Sequence, residues 1–116
     1  MSSNNHFDLE EINNFLIVTF KNEKILNETN IKVIHDDLIQ LIEGREGVRL
    51  VIDFKVVRYL SSSVLSKLVS VFKKVKSLKG EFTLCSIDPV LRKVFEITQL
   101  DRLFTIVPDQ LAAMKR

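Results

Sequence analysis

A single cysteine, Cys85, stands in this chain, so no disulfide can form within it. That usage suits a reducing compartment. The three glycines, Gly44, Gly47 and Gly80, are too scattered to make a phosphate-cradling loop. The two prolines, Pro89 and Pro108, leave no Pro-rich linker. Tryptophan is absent, and eight phenylalanines must supply the bulk of a core. No apolar run approaches the ~20 residues needed to span a bilayer. Met1 to His6 is polar and has no signal-peptide core, so the expectation is a cytoplasmic protein without direct membrane insertion. Neither sign of charge dominates. Seventeen basic and fifteen acidic residues leave a net +2, which gives no argument for a nucleic-acid partner. The two histidines, His6 and His35, have no set of partner ligands around them, so neither a metal nor a cofactor is expected.

What is present is ordinary globular material, 46% hydrophobic and 28% charged. With 116 residues, a single domain over 1–116 is expected, residues 1–5 forming a flexible tail. Phe7 to Glu11 and the β-branched and aromatic run Phe15 to Phe20 read as a hairpin turned at Asn13-Asn14. Lys21 to Leu26 reads as a polar connection. Asn27 or Thr29 then caps a helix whose apolar stripe is Ile31, Ile34, Leu38, Leu41 and Ile42, and Gly44 ends it. Val48 to Phe54 is almost continuously apolar, the pattern of a central, parallel strand buried on both faces. A loop over Lys55 to Leu60 leads to a helical pattern from Val64 to Lys79, stopped by Gly80. Phe82 to Cys85 is a further strand. Asp88-Pro89 opens a helix, Leu103 to Val107 is a short edge strand, and Pro108-Asp109 opens a last helix. The predicted fold class is α/β, a small mixed sheet of four to five strands with about four helices.

The chemistry-bearing residues are few. Ser61, Ser62 and Ser63 fall where a loop becomes a helix, a place for a helix cap or for a phosphate. A Ser–His–acid triad requires His35 to approach Ser62, and no catalytic group is expected. Asp36-Asp37 reads as a solvated helix face. Asp53 either bonds to loop backbone, the commoner role of a polar strand end, or holds a cation or steers a partner. Lys67, Lys73, Lys74, Lys76 and Lys79 make a basic flank, and Cys85 reads as a small buried hydrophobe.

These parts, taken in order, resemble the STAS domain family of anti-sigma factor antagonists. The matching pieces are Leu50 to Phe54, Tyr59-Leu60-Ser61-Ser62-Ser63-Val64-Leu65, Lys79-Gly80, Phe82 to Cys85, Pro89 to Ile97, Thr98-Gln99-Leu100 and Leu103 to Ile106. The resemblance implies a non-enzymatic partner switch. Its partners would be an anti-sigma factor, often a serine kinase, and a phosphatase. It further implies phosphorylation at Ser62 and a partner surface of Tyr59, Leu60, Ser61, Ser63, Val64 and Lys67. Ser61 stands where the family has an aspartate and is expected to cap the helix. Val64 stands where the family has a glycine that lets a partner's backbone approach closely. The alternative implied by the resemblance is a non-switching subunit of a signalling complex or of a membrane transporter assembly.

Overall fold

The computed structural model describes residues 2–115, with side chains from residue 4. Strands β1 (Ser2–Ser3), β2 (Phe7–Ile12) and β3 (Phe15–Phe20) run antiparallel. After a short strand β4 (Lys24–Ile25) comes helix α1 (Glu28–Ile42). Strand β5 (Arg49–Asp53), strand β6 (Tyr59–Leu60), helix α2 (Ser62–Ser77) and strand β7 (Glu81–Cys85) follow. Helix α3 (Pro89–Ile97), a 3-10 turn (Leu100–Arg102), strand β8 (Thr105–Val107) and helix α4 (Gln110–Met114) complete the chain. The main sheet has the order β1-β2-β3-β5-β7-β8, and β3, β5, β7 and β8 are parallel to one another. The mixed α/β fold is the one expected, with β5 central and parallel to both neighbours.

Two expectations need correcting. Residues 2–5 are not a free tail. Ser2 pairs opposite Leu9, and Asn4 Oδ1 accepts from the backbone N–H groups of His6 and Phe7, both at 2.8 Å. Asparagine thus closes a turn that returns the chain to the sheet edge. Met1 lies outside the described residues. The segments Lys21 to Leu26 and Lys55 to Leu60 are not simple connections either. Each contributes a two-residue strand, and these pair in parallel, Lys24 opposite Tyr59 and Ile25 opposite Leu60.

Alternation along each strand divides the side chains between two faces. Leu16, Val18, Phe20, Leu50, Ile52, Phe54 and Leu84 meet α1, α2 and α3 in the main core. Its centre is a run of phenylalanine rings, Phe20 to Phe54 at 5.2 Å, Phe54 to Phe95 at 6.2 Å and Phe95 to Phe104 at 6.3 Å. The first two contacts are edge-on, the arrangement ring quadrupoles favour. Phe15, Ile17, Val51 and Cys85 point the other way and are covered by Ala113 of α4.

Helix α2 ends by a different device from the one expected of Gly80. The residue in the left-handed conformation is Lys79, at φ 60°. The Lys79 N–H donates to the Lys76 carbonyl at 3.0 Å and the Gly80 N–H to the Val75 carbonyl at 2.9 Å, the paired bonds of a Schellman ending. Gly80 is required for space, because a Cβ there would run into the Val48 carbonyl oxygen and lie 2.9 Å from Val48 Cγ1. Gly80→Ala is therefore expected to lower unfolding free energy by about 2–3 kcal/mol in urea titrations, whereas Lys79→Gly changes it by less than about 1 kcal/mol.

Cys85 is fully buried. Burial, and then the Asp53 carboxylate, push its thiol up to about 12. The folded state thus holds the thiol proton at a pH where the unfolded chain releases it. Its contribution to stability is complete below about pH 8.5, the ordinary thiol range, and is lost as pH rises towards 12. A thiol reagent at pH 8 is expected to leave native Cys85 untouched and to modify it fully in denaturant. Native-state labelling at the denatured rate would contradict this placement.

Candidate functional site: the N-terminus of helix α2

The chain reaches α2 along a tightly tied path. Asp53, 2% exposed, ends β5 with Oδ1 accepting the Lys55 N–H at 2.8 Å and Oδ2 accepting the Gln110 amide of α4 at 2.7 Å. The bond to loop backbone expected of a strand end is present. A turn follows, closed by the Val57 N–H on the Phe54 carbonyl at 2.9 Å, and the Val57 side chain is sunk in the core. Next, Arg58 and Tyr59 donate their N–H groups to the Glu23 carbonyl at 2.8 and 3.1 Å, and Ser61 donates to the Ile25 carbonyl at 3.2 Å. The β4–β6 pairing thus sets the position and direction of the first turn of α2.

The three serines have three different environments. Ser61 occupies the N-cap position in extended backbone, and its carbonyl accepts the Val64 N–H at 3.1 Å. Its hydroxyl makes no cap bond, contrary to expectation. Ser61 Oγ is buried and has no hydrogen-bond partner among the described residues. Ser62, the first helical residue, is exposed, and no hydrogen bond engages its hydroxyl among the described residues. Ser63 is half-buried and donates its hydroxyl to Glu28 Oε1 of α1 at 2.8 Å. The first turn of α2 holds no acidic residue of its own, and the Glu28 carboxylate reaches it from α1 through Ser63, near the free N–H groups and the positive end of the helix dipole.

The remaining candidate residues separate. Tyr59 is 52% exposed, with the Lys24 ammonium 5.5 Å from its ring centroid. Leu60 is half-buried against the core. Val64 is not a surface residue at all. Its side chain is 5% exposed and lines a cavity of about 20 Å³ between α1 and α2. The periodicity of α2 turns position 64 inward with Leu68 and Val71, so its bulk packs against the core instead of facing a partner. Lys67 is half-buried beside the same cavity. The basic flank is interrupted, since Lys74 is paired with Glu43 at 2.9 Å and Lys76 lies over the Phe72 ring.

His35 does not reach Ser62. Its Nε2 lies 2.9 Å from Ser70 Oγ and its Nδ1 3.2 Å from Asp36 Oδ1. Ser70 is eight residues beyond Ser62, about 12 Å along the helix axis. It is also mid-helix, where backbone N–H groups are already bonded and cannot stabilise an oxyanion. The Lys32 ammonium and then His35 hold the Asp36 carboxyl below the usual carboxylate range. Asp36 is therefore a surface ion-pair partner. Glu28 escaped sequence reasoning because it looks like any acid in the first turn of a helix. Its contact with Ser63 joins positions 35 residues apart.

Residues 6–113 match the family model of the STAS domain. The chain belongs to the STAS domain family. It is 28% identical over 105 residues to BtrV of Bordetella bronchiseptica, a candidate anti-sigma factor antagonist by its name, covering 90% of this chain and 88% of that protein. An anti-sigma-factor antagonist domain protein from Planctomyces limnophilus superposes with a TM-score of 0.85 at 22% identity, over 94% of this chain and 96% of that one. The phosphorylated form of the Bacillus cell fate determinant SpoIIAA superposes at 0.70 with 15% identity, over 94% and 97%. The two structures establish the STAS fold.

Placing the family's glycine at position 64 should damage the fold. Val64→Gly removes a core side chain and puts a flexible residue into the first turn, so a loss of about 2–4 kcal/mol is expected from urea unfolding. A loss under about 0.5 kcal/mol would mean that Val64 is not packed as described.

Proposed function

We propose that this STAS protein is an anti-sigma factor antagonist, a non-enzymatic binding module of the cytoplasm. In this reading it binds an anti-sigma factor that is also a serine kinase, and phosphorylation of Ser62 releases it. A phosphatase restores the binding form. The observation that carries the reading is the contrast within the triplet. Ser61 Oγ is buried and Ser63 Oγ is bonded to Glu28 of α1, while Ser62 is exposed and unengaged at the start of a helix whose own first turn has no acidic residue. The name of BtrV supports the partner class, and the existence of SpoIIAA, a protein of similar fold, in a phosphorylated form supports a phosphate switch.

The switch needs no change of fold. A phosphate on Ser62 adds a charge of about −1.5 to −2 at neutral pH. The surface beside it carries the exposed Tyr59 ring and part of Leu60. A partner that covers those groups would bury the phosphate unpaired, at a cost of several kcal/mol. Each ~1.4 kcal/mol is tenfold in affinity, so one phosphate is enough to end binding.

Affinity capture from the source cell with Ser62→Ala and Ser62→Asp forms tests this. The alanine form should retain a kinase-type partner, and the aspartate form should lose at least about tenfold of it. Equal capture by both forms, or a phosphate mapped outside the triplet, would remove Ser62 from the switch.

A further inference from the structure

Three adjacent hydroxyls raise a question of selection that the helix start alone does not answer. Ser62 and Ser63 are consecutive residues in the same first turn, with the same helix dipole and the same absence of acidic neighbours on their own helix. What separates them comes from α1. Glu28 Oε1 accepts the Ser63 hydroxyl at 2.8 Å. Glu28 is itself held by a rigid element. It is the first residue of α1, whose start is fixed by Asn27 Oδ1 accepting the Asn30 N–H at 3.0 Å, and a carboxylate there is favoured by the helix dipole.

We propose that Glu28 is a specificity-determining residue that directs phosphoryl transfer to Ser62 and away from Ser63. The inference rests on phosphorylation of the serine triplet as the switch. In the transfer, the serine Oγ forms a bond to the γ-phosphorus of a nucleoside triphosphate held by the kinase. The bond from that phosphorus to the bridging oxygen breaks and the nucleoside diphosphate leaves. The hydroxyl proton passes to a base of the kinase. Ser63 is handicapped at two points. Its hydroxyl hydrogen is committed to Glu28, so it must break a charge-assisted hydrogen bond before it can face a kinase. Its product would set a phosphate of charge about −1.5 to −2 against the Glu28 carboxylate. Ser62 is exposed and has no such bond to break, and Ser61 Oγ is out of reach of a kinase because it is buried.

The test is site-resolved phosphopeptide mapping of protein recovered from its source cell with phosphatase inhibitors present. The wild-type chain should carry its phosphate predominantly on Ser62, with a minor share on Ser63. In Glu28→Ala, the share on Ser63 should rise about tenfold, the size expected for loss of one such hydrogen bond. Glu28→Gln keeps an acceptor oxygen for Ser63 but no charge, so its Ser63 share should stay below that of the alanine form. Glu28 is exposed, and unchanged thermal unfolding of both variants separates this effect from damage to the fold. Phosphate confined to Ser62 in Glu28→Ala would overturn the role of Glu28 and leave Ser62 as the switch. Equal Ser63 shares in the alanine and glutamine forms would also overturn it. No phosphate on the triplet in any form would overturn the switch itself, and Glu28's role with it.

Discussion

The first turn of α2 depends on a short parallel pairing, Lys24–Ile25 against Tyr59–Leu60, outside the main sheet. The Glu23 and Ile25 carbonyls take the N–H groups of Arg58, Tyr59 and Ser61. Each such bond is worth only about 0.5–1.5 kcal/mol net. Their effect is geometric. They leave the backbone entering α2 little freedom to twist, so the Cα positions of the three serines are held relative to α1. One hydroxyl is buried, one is exposed and one lies against α1.

Asp53 ties this arrangement to the opposite face of the sheet. A buried carboxylate is costly unless hydrogen-bonded. Here one oxygen holds the Lys55 N–H at the start of the site loop, and the other holds Gln110 of α4. Ala113 of the same short helix covers Val51 and Cys85. The helix behind the sheet and the loop in front of it therefore share one anchor. The same carboxylate helps to keep Cys85 protonated, which suits a thiol packed as a hydrophobe.

The features legible in the sequence are those with a period. The hairpin showed in its β-branched run and in Asn13-Asn14, both of which take positive φ. The central strand showed in its unbroken apolar run, and α1 and α2 in their stripes. The β4–β6 pairing was not legible, because two-residue strands have no alternation to detect. The Ser63–Glu28 bond was not legible, because nothing local links positions 28 and 63. Gly80 was legible as a helix stop but not in its mechanism. The left-handed position fell to Lys79, and the need for glycine came from Val48, which is distant in sequence. Ser61 stood at the predicted cap position, but backbone angles alone do not decide where a hydroxyl points.

Val64 shows how residue type and orientation must be read together. Against the family's glycine, a valine in the first turn suggests a bulkier docking surface. The helix phase decides otherwise, since Val64 shares the inward face with Leu65, Leu68 and Val71. The outward face of the first turns is left to small hydroxyls, Ser62 and Ser66, both exposed. A partner approaching there meets no added bulk. What valine changes is how firmly the turn is seated, because a β-branched core residue restrains a helix start that glycine would leave loose. In this chain an outward face of small hydroxyls is compatible with a well-anchored helix start, because the bulk of Val64 is spent on the core.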